Sequence, residues 1–237
     1  MPRTAREKSV ESFYHVMSRS ISEISLFQCD EDKAYYLSLL KRYKEKFHCK
    51  IYAYCLMDSH VHFYINPEGF DISTFMLSLN TAYVTYFNRR YNRHGHLFQG
   101  RFASTIVDND TYSLTLSAYI HNNAKDLPEQ SGREEFYRYS SYGIYTGCRK
   151  DDEGIIDSEY LLKLFSKDKK TAQQKYRAFT ESMKETGIMK KIDENIMHTY
   201  TDNEYKSEKC CVLRHNNLEE LIHKIGEVLG DKLPEQI

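Results

Sequence analysis

No stretch of the 237-residue chain reaches 18 consecutive apolar residues, so it holds no segment suited to spanning a bilayer as a helix. The opening M-P-R-T-A-R-E-K-S is charged and lacks the apolar run of a secretory leader, which makes the cytoplasm the expected location and excludes a membrane partner. Also missing is any C-x-x-C pair. The six cysteines, at 29, 49, 55, 148, 210 and 211, follow no framework rhythm and read as free thiols, not as a structural zinc centre. Tryptophan is absent while tyrosine occurs 20 times, a usage that offers phenols for base stacking and phosphate bonding, though most such residues serve as packing. From Ile72 to Val107 there is no acidic residue, yet Arg89, Arg90, Arg93 and Arg101 all fall there. Net charge is only −1, so the polarity is local, as suits a polyanion meeting one face.

What is present reads as globular: 41% hydrophobic and 28% charged residues, in a chain long enough for one sizeable core. Within it, Tyr54 to Ile65, Y-C-L-M-D-S-H-V-H-F-Y-I, alternates with period two. On a β-strand that alternation puts His60, His62 and Tyr64 on one side and Val61, Phe63 and Ile65 on the other. Two imidazoles on one side of a strand can hold one divalent ion and leave positions open for a third ligand and a substrate oxygen.

The flanking pattern supplies the architecture. Phe13 to Ser20 alternates as a first strand, with His15, Met17 and Arg19 on one side, expected beside the histidine strand. Asp30 to Phe47 carries a helical stripe with Asp30 as its expected N-cap. Lys50 to Met57 is a second strand, and Asp58-Ser59 turns the chain into the histidine strand. A long second helix from Ile72 to about Tyr91, a fourth strand ending at Val107 and a third helix over about Thr111 to Asn123 follow. The order is strand, helix, strand, strand, helix, strand, helix. It predicts an α+β fold, a ferredoxin-like split βαββαβ antiparallel sheet covered by helices. Residues 1–150 form the expected main domain. Residues 151–237 form a mostly helical extension, with stripes at 158–165, 171–185 and 218–229, that serves DNA binding or packing.

On the third helix Tyr112, Leu116, Tyr119 and Asn123 share a face, with Tyr119 and Asn123 one turn apart. Placed over the histidines, that face would bring a phenol and an amide oxygen to one point. The amide oxygen suits Mg²⁺ or Mn²⁺. A bound ion would polarise a scissile phosphate for attack by Tyr119, since a phenol of pKa about 10 is otherwise a poor nucleophile at neutral pH. His121 turns away from Tyr119.

Five blocks, Y-H-V-M-S-R (14–19), A-Y-C-L-M-x-x-H-V-H (53–62), Y-F-N-R-R (86–90), G-H-L-F-Q-G-R-F (95–102) and S-x-Y-I-H-x-N (117–123), together resemble the REP-associated tyrosine transposases of the single-tyrosine HUH superfamily of insertion sequences. The resemblance covers roughly residues 2–145. It implies an HUH nuclease fold, His60 and His62 as paired metal ligands, Asn123 as the third ligand and Tyr119 as the nucleophile. It further implies single-stranded or hairpin DNA as substrate, cut through a 5′-phosphotyrosine and rejoined without ATP. The chain departs from the family's usual pattern at Ser20-Ile21 (Gly-Asn), Asp58-Ser59 (Pro-Asn) and Asn123-Ala124 (Asn-Pro). None of these removes a catalytic group, but Asp58 adds negative charge where DNA is expected to pass.

Arg19, Arg89, Arg90, Arg93, Gln99 and Arg101 are the candidates for DNA contact, because arginine forks suit phosphates and position a nucleic acid without reading it. A monomer is expected, with a dimer that exchanges the tyrosine helix as the alternative. Two other functions fit the same residues: a domesticated hairpin-DNA-binding protein that no longer cuts, and a metal-free RNA phosphodiesterase using two histidines as acid and base.

Overall fold

The computed structural model describes residues 13–21, 24–184 and 192. The period-two segments form four antiparallel strands, β1 (Phe13–Arg19), β2 (Lys50–Leu56), β3 (His60–Asn66) and β4 (Ala103–Val107), in the sheet order β2-β3-β1-β4. Helices α1 (Asp30–Phe47) and α2 (Ile72–Arg90) are the crossovers, and α3 (Asp110–Asn122) follows β4. This is the split βαββαβ arrangement the sequence predicts, with the first strand beside the histidine strand.

Local chemistry explains most element ends. Met57 N–H donates to His60 O at 2.8 Å, closing the β2–β3 reversal over Asp58 and Ser59. Helix α2 starts at Asp71, whose carboxylate accepts from Ser73 N–H, and α3 at Asn109, whose amide oxygen accepts from Tyr112 N–H at 2.7 Å. The start of α1 differs from expectation. Its N-cap is Cys29, in extended backbone and without a side-chain cap, while Asp30 lies inside the first turn. Asp32, not Asp30, reaches back, accepting from Gln28 N–H at 2.9 Å, and the acidic first turn faces the positive end of the helix. Helix α3 ends at Asn122, with Asn123 opening a 3₁₀ turn.

The two faces of the sheet are covered differently. Val61, Phe63 and Ile65 of β3, with Tyr14 and Val16 of β1, are buried on the side of α1 and α2. The rings of Tyr36 and Phe63 lie nearly parallel there at 6.2 Å, and each such large side chain removed from water contributes about 1.5–3 kcal/mol. Helix α3 lies on the opposite face, where Tyr64 hydroxyl donates to Ser113 Oγ at 2.7 Å.

Beyond α3 the chain returns to the outer edge of β2. Leu56 N–H donates to Tyr139 O, Ser141 N–H to Tyr54 O, and Tyr145 hydroxyl to Tyr52 O, so an otherwise open edge strand is paired. Helices α4 (Tyr142–Tyr145), α5 (Glu159–Phe165) and α6 (Lys169–Met183) complete the described chain. Helix α6 is fastened to α3: Tyr176 hydroxyl contacts Ser117 Oγ at 3.0 Å and His121 Nδ1 at 2.6 Å, and Asn122 Nδ2 donates to Thr180 O. The helix expected over 218–229 lies outside the described residues.

Candidate active site

Register on the α3 face brings the site together. In the β1–β3 ladder Arg19 opposes His60, Met17 opposes His62 and His15 opposes Tyr64, so all six side chains share that face. The rings of His60 and His62 are 4.9 Å apart, edge to face. Tyr119 of α3 meets them: its ring centroid is 5.3 Å from that of His62 and 5.7 Å from that of His15. One turn on, Asn123 donates through Nδ2 to Tyr119 O at 2.9 Å, and its side chain also hydrogen-bonds His60. His60, His62, Tyr119 and Asn123 are therefore brought together within one chain.

Each imidazole is held by a neighbour. Ser59 Oγ lies 3.0 Å from His60 Nδ1, and His15 Nε2 lies 3.1 Å from His62 Nδ1. The other nitrogen of His62, Nε2, is buried without a hydrogen-bond partner among the described residues. Burial lowers the pKa of His60 to about 4, helped by the Arg19 charge and opposed by the Asn123 hydrogen bond and Asp58. His62 is held well below the usual histidine range by burial and then by His60 and His15, and burial lowers His15 to about 3. All three rings are thus neutral at neutral pH, the form in which imidazole ligates a metal. A buried, unpartnered Nε2, a second neutral imidazole and an amide side chain beside it fit a small divalent ion with open coordination positions.

The basic candidates divide into two groups. Gln99 N–H donates to Arg19 O at 2.9 Å and Phe98 bridges Ser20, so Arg19, Gln99 and Arg101 rim the His60 end of the sheet, with Gln99 and Arg101 exposed. Arg89, Arg90 and Arg93 lie at the far end of α2, behind the sheet. Arg89 is exposed, whereas Arg93 packs over the Phe87 ring and Arg90 is turned toward α1, 3.6 Å from buried Asp32 and bonded to the Tyr86 hydroxyl. The extra charge of Asp58 is met by Lys33 at 2.9 Å. Two members of the site escape sequence reasoning, His15 and Ser59. Alternation does put His15 on the Arg19 side of β1, which was a usable signal once β1 was set beside β3.

The family model for IS200-like transposases matches residues 8–123, the stretch that runs from before β1 to Asn123. These residues match the IS200-like transposase family. DNA binding and DNA transposition are the activities of that family. The fold is similar to that of the REP-associated tyrosine transposase bound to a REP hairpin, with a TM-score of 0.52 and 14% identity over 62% of this chain and 86% of that one. None of the curated proteins matches the chain. In this chain's four-stranded antiparallel sheet the histidine strand lies second from one edge.

Proposed function

We propose that this IS200-like transposase is a divalent-metal-dependent, single-stranded DNA endonuclease and strand transferase that binds hairpin DNA and acts through Tyr119. The observation that carries the reading is the packing of the Tyr119 ring against His62, with Asn123 one turn away on His60. His60, His62 and Asn123 would hold Mg²⁺ or Mn²⁺. When bound, the ion supplies a Lewis acid for the scissile phosphate. Tyr119 oxygen attacks phosphorus, the bond to the 3′-oxygen breaks, the phenol proton leaves and the departing oxygen gains one as a free 3′-hydroxyl. The product is a 5′-phosphotyrosine that keeps the energy of a phosphodiester, so the reverse attack by a 3′-hydroxyl rejoins DNA without ATP.

Burial of Tyr119 between sheet and helix restricts its rotamers and excludes water that would compete for the phosphorus. Arg19, Gln99 and Arg101 would hold backbone phosphates beside His60, and Arg89 and Arg93 would meet DNA wrapping behind the sheet. Arg90 is the weakest of the six candidates because Asp32 and Tyr86 already engage it. One chain that can supply both nucleophile and ligands supports a monomer as the acting form, and the cytoplasm is its proposed location. Residues 1–150 carry the chemistry, and the extension from 151 braces the tyrosine helix.

The test is incubation of hairpin oligonucleotides with the protein and Mn²⁺, read on a denaturing gel for a protein-linked band. That band is expected from wild type and from Tyr112→Phe, and is expected to fall at least about a thousandfold in Tyr119→Phe. An adduct formed by Tyr119→Phe, or cutting undiminished in EDTA, would refute the assignment. Hairpin binding with no adduct from wild type would favour a DNA-binding protein that does not cut.

A further inference from the structure

The contact between His15 and His62 has no part in the chemistry above, yet it determines which nitrogen of His62 is open. His15 Nε2 and His62 Nδ1 are 3.1 Å apart, and both residues are about 1% exposed, so water cannot substitute for either partner. The outer nitrogens, His15 Nδ1 and His62 Nε2, are both buried without partners among the described residues. One proton lies between the rings, and there are two ways to place it. If His15 Nε2 carries it, His62 must bear its own proton on Nε2, aimed where an ion would sit and unable to ligate. If His62 Nδ1 carries it and donates to His15, the lone pair of His62 Nε2 is open. Metal-binding histidines ordinarily have this set by an acceptor behind them, a carboxylate, carbonyl or water.

We infer that His15 is the positioning residue that accepts the His62 Nδ1 proton and thereby presents the Nε2 lone pair of His62 to the divalent ion, as Ser59 Oγ at 3.0 Å orients His60 through its Nδ1. A neutral imidazole here takes the place of the usual acceptors. His15 also lies edge-on to Tyr119, with a 74° angle between the rings, so one side chain fixes both a ligand and the wall behind the nucleophile. The inference rests on the metal reading of His60 and His62, but not on any cleavage by Tyr119.

Two measurements test it without DNA. In the metal-free wild-type protein, ¹⁵N-resolved imidazole spectra should show His62 as the Nδ1–H tautomer, and a His62 found as Nε2–H overturns the proposal. Mn²⁺ affinity followed by electron paramagnetic resonance should fall about 10–100-fold in His15→Leu, which keeps bulk but cannot accept a hydrogen bond. In His15→Gln, whose amide oxygen can reach the position of Nε2, affinity should stay within a few-fold of wild type, and the Nδ1–H signature of His62 should persist. Equal affinity in folded His15→Leu, or equal loss in both variants, would leave His15 a packing residue only. Should His15→Leu not fold, the wild-type tautomer and the Gln variant still decide. A missing DNA adduct alongside these results would count against Tyr119 and not against His15.

Discussion

The two faces of β3 belong to the same seven residues and are built to opposite ends. Toward α1 and α2, aromatic rings close the space, and their polar tips are satisfied: Tyr36 hydroxyl donates to Asn80 Oδ1, Tyr83 hydroxyl to Leu26 O, and Asn80 Nδ2 to Ser18 Oγ. Toward α3, His62 Nε2 and His15 Nδ1 are sealed from water with nothing to bond, and among the described strand residues they are the buried polar side-chain atoms left so. A buried unpaired polar group costs about 1–3 kcal/mol, so one face is optimised for stability while the other gives some of it up. The difference teaches where to look for chemistry: a fold tolerates such atoms where something else is meant to complete them.

The hardest way to break this contrast is to alter one residue on each face. Phe63→Ala should lower unfolding free energy by about 3–5 kcal/mol in denaturant titrations, while the folded fraction keeps its Mn²⁺ affinity. His62→Leu should cost no more than about 1–3 kcal/mol in the same titration, because loss of the imidazole leaves the buried Nε2 of His15 without a partner, yet lose Mn²⁺ binding. The reverse pattern, a stable Phe63→Ala and an unfolded His62→Leu, would mean that the faces had been assigned backwards.

Acid sharpens the comparison next. Burial holds His15 and His121 at about 3 and His60 at about 4, whereas in the unfolded chain each histidine titrates near its ordinary value of about 6.5. The unfolded state therefore binds more protons below that value. Stability from these neutral rings is complete above about pH 6.5 and is lost as pH falls toward their folded values, by up to about 1.4 kcal/mol per unit for each ring. Urea midpoints of the metal-free protein at about pH 7 and pH 5 should differ accordingly, with the site face losing its neutral rings and the aromatic face unaffected. A flat profile would show that the rings are not kept neutral by their surroundings.

The smallest expected effect separates the two groups of arginines. Arg101→Ala should weaken hairpin binding by roughly 1 kcal/mol and reduce its salt dependence by about one phosphate contact. Arg90→Ala should leave binding nearly unchanged and instead cost stability, because it strips a partner from buried Asp32. Equal binding losses in both would show that Arg90 meets DNA in spite of its contacts with Asp32 and Tyr86.

Much of this was legible in the chain itself. Alternation in H-V-H-F-Y-I assigned both faces of β3, and the four-residue step from Tyr119 to Asn123 put phenol and amide on one side of α3. Long-range pairing was not. His15 meets His62 only through the β1–β3 register, across 47 positions, and period alone says which side a residue takes but not whom it faces. Arg90 reads as a free cation until α1 brings Asp32 beside it, and the pairing of the 137–145 segment with the edge of β2 leaves no periodic trace in the sequence. Asp30 fails as a cap for a similar reason: Asp32, tied to Tyr86 and Tyr91, takes over the turn.

The fastening of α3 by Tyr176 and Thr180 has a mechanical corollary. A helix pinned on one side by the sheet and on the other by α6 does not swing its phenol outward to find a target. With Tyr119 as the proposed nucleophile, the flexibility that strand breakage demands would come from the nucleic acid, which would have to bend, splay and thread a single phosphate inward to a stationary hydroxyl.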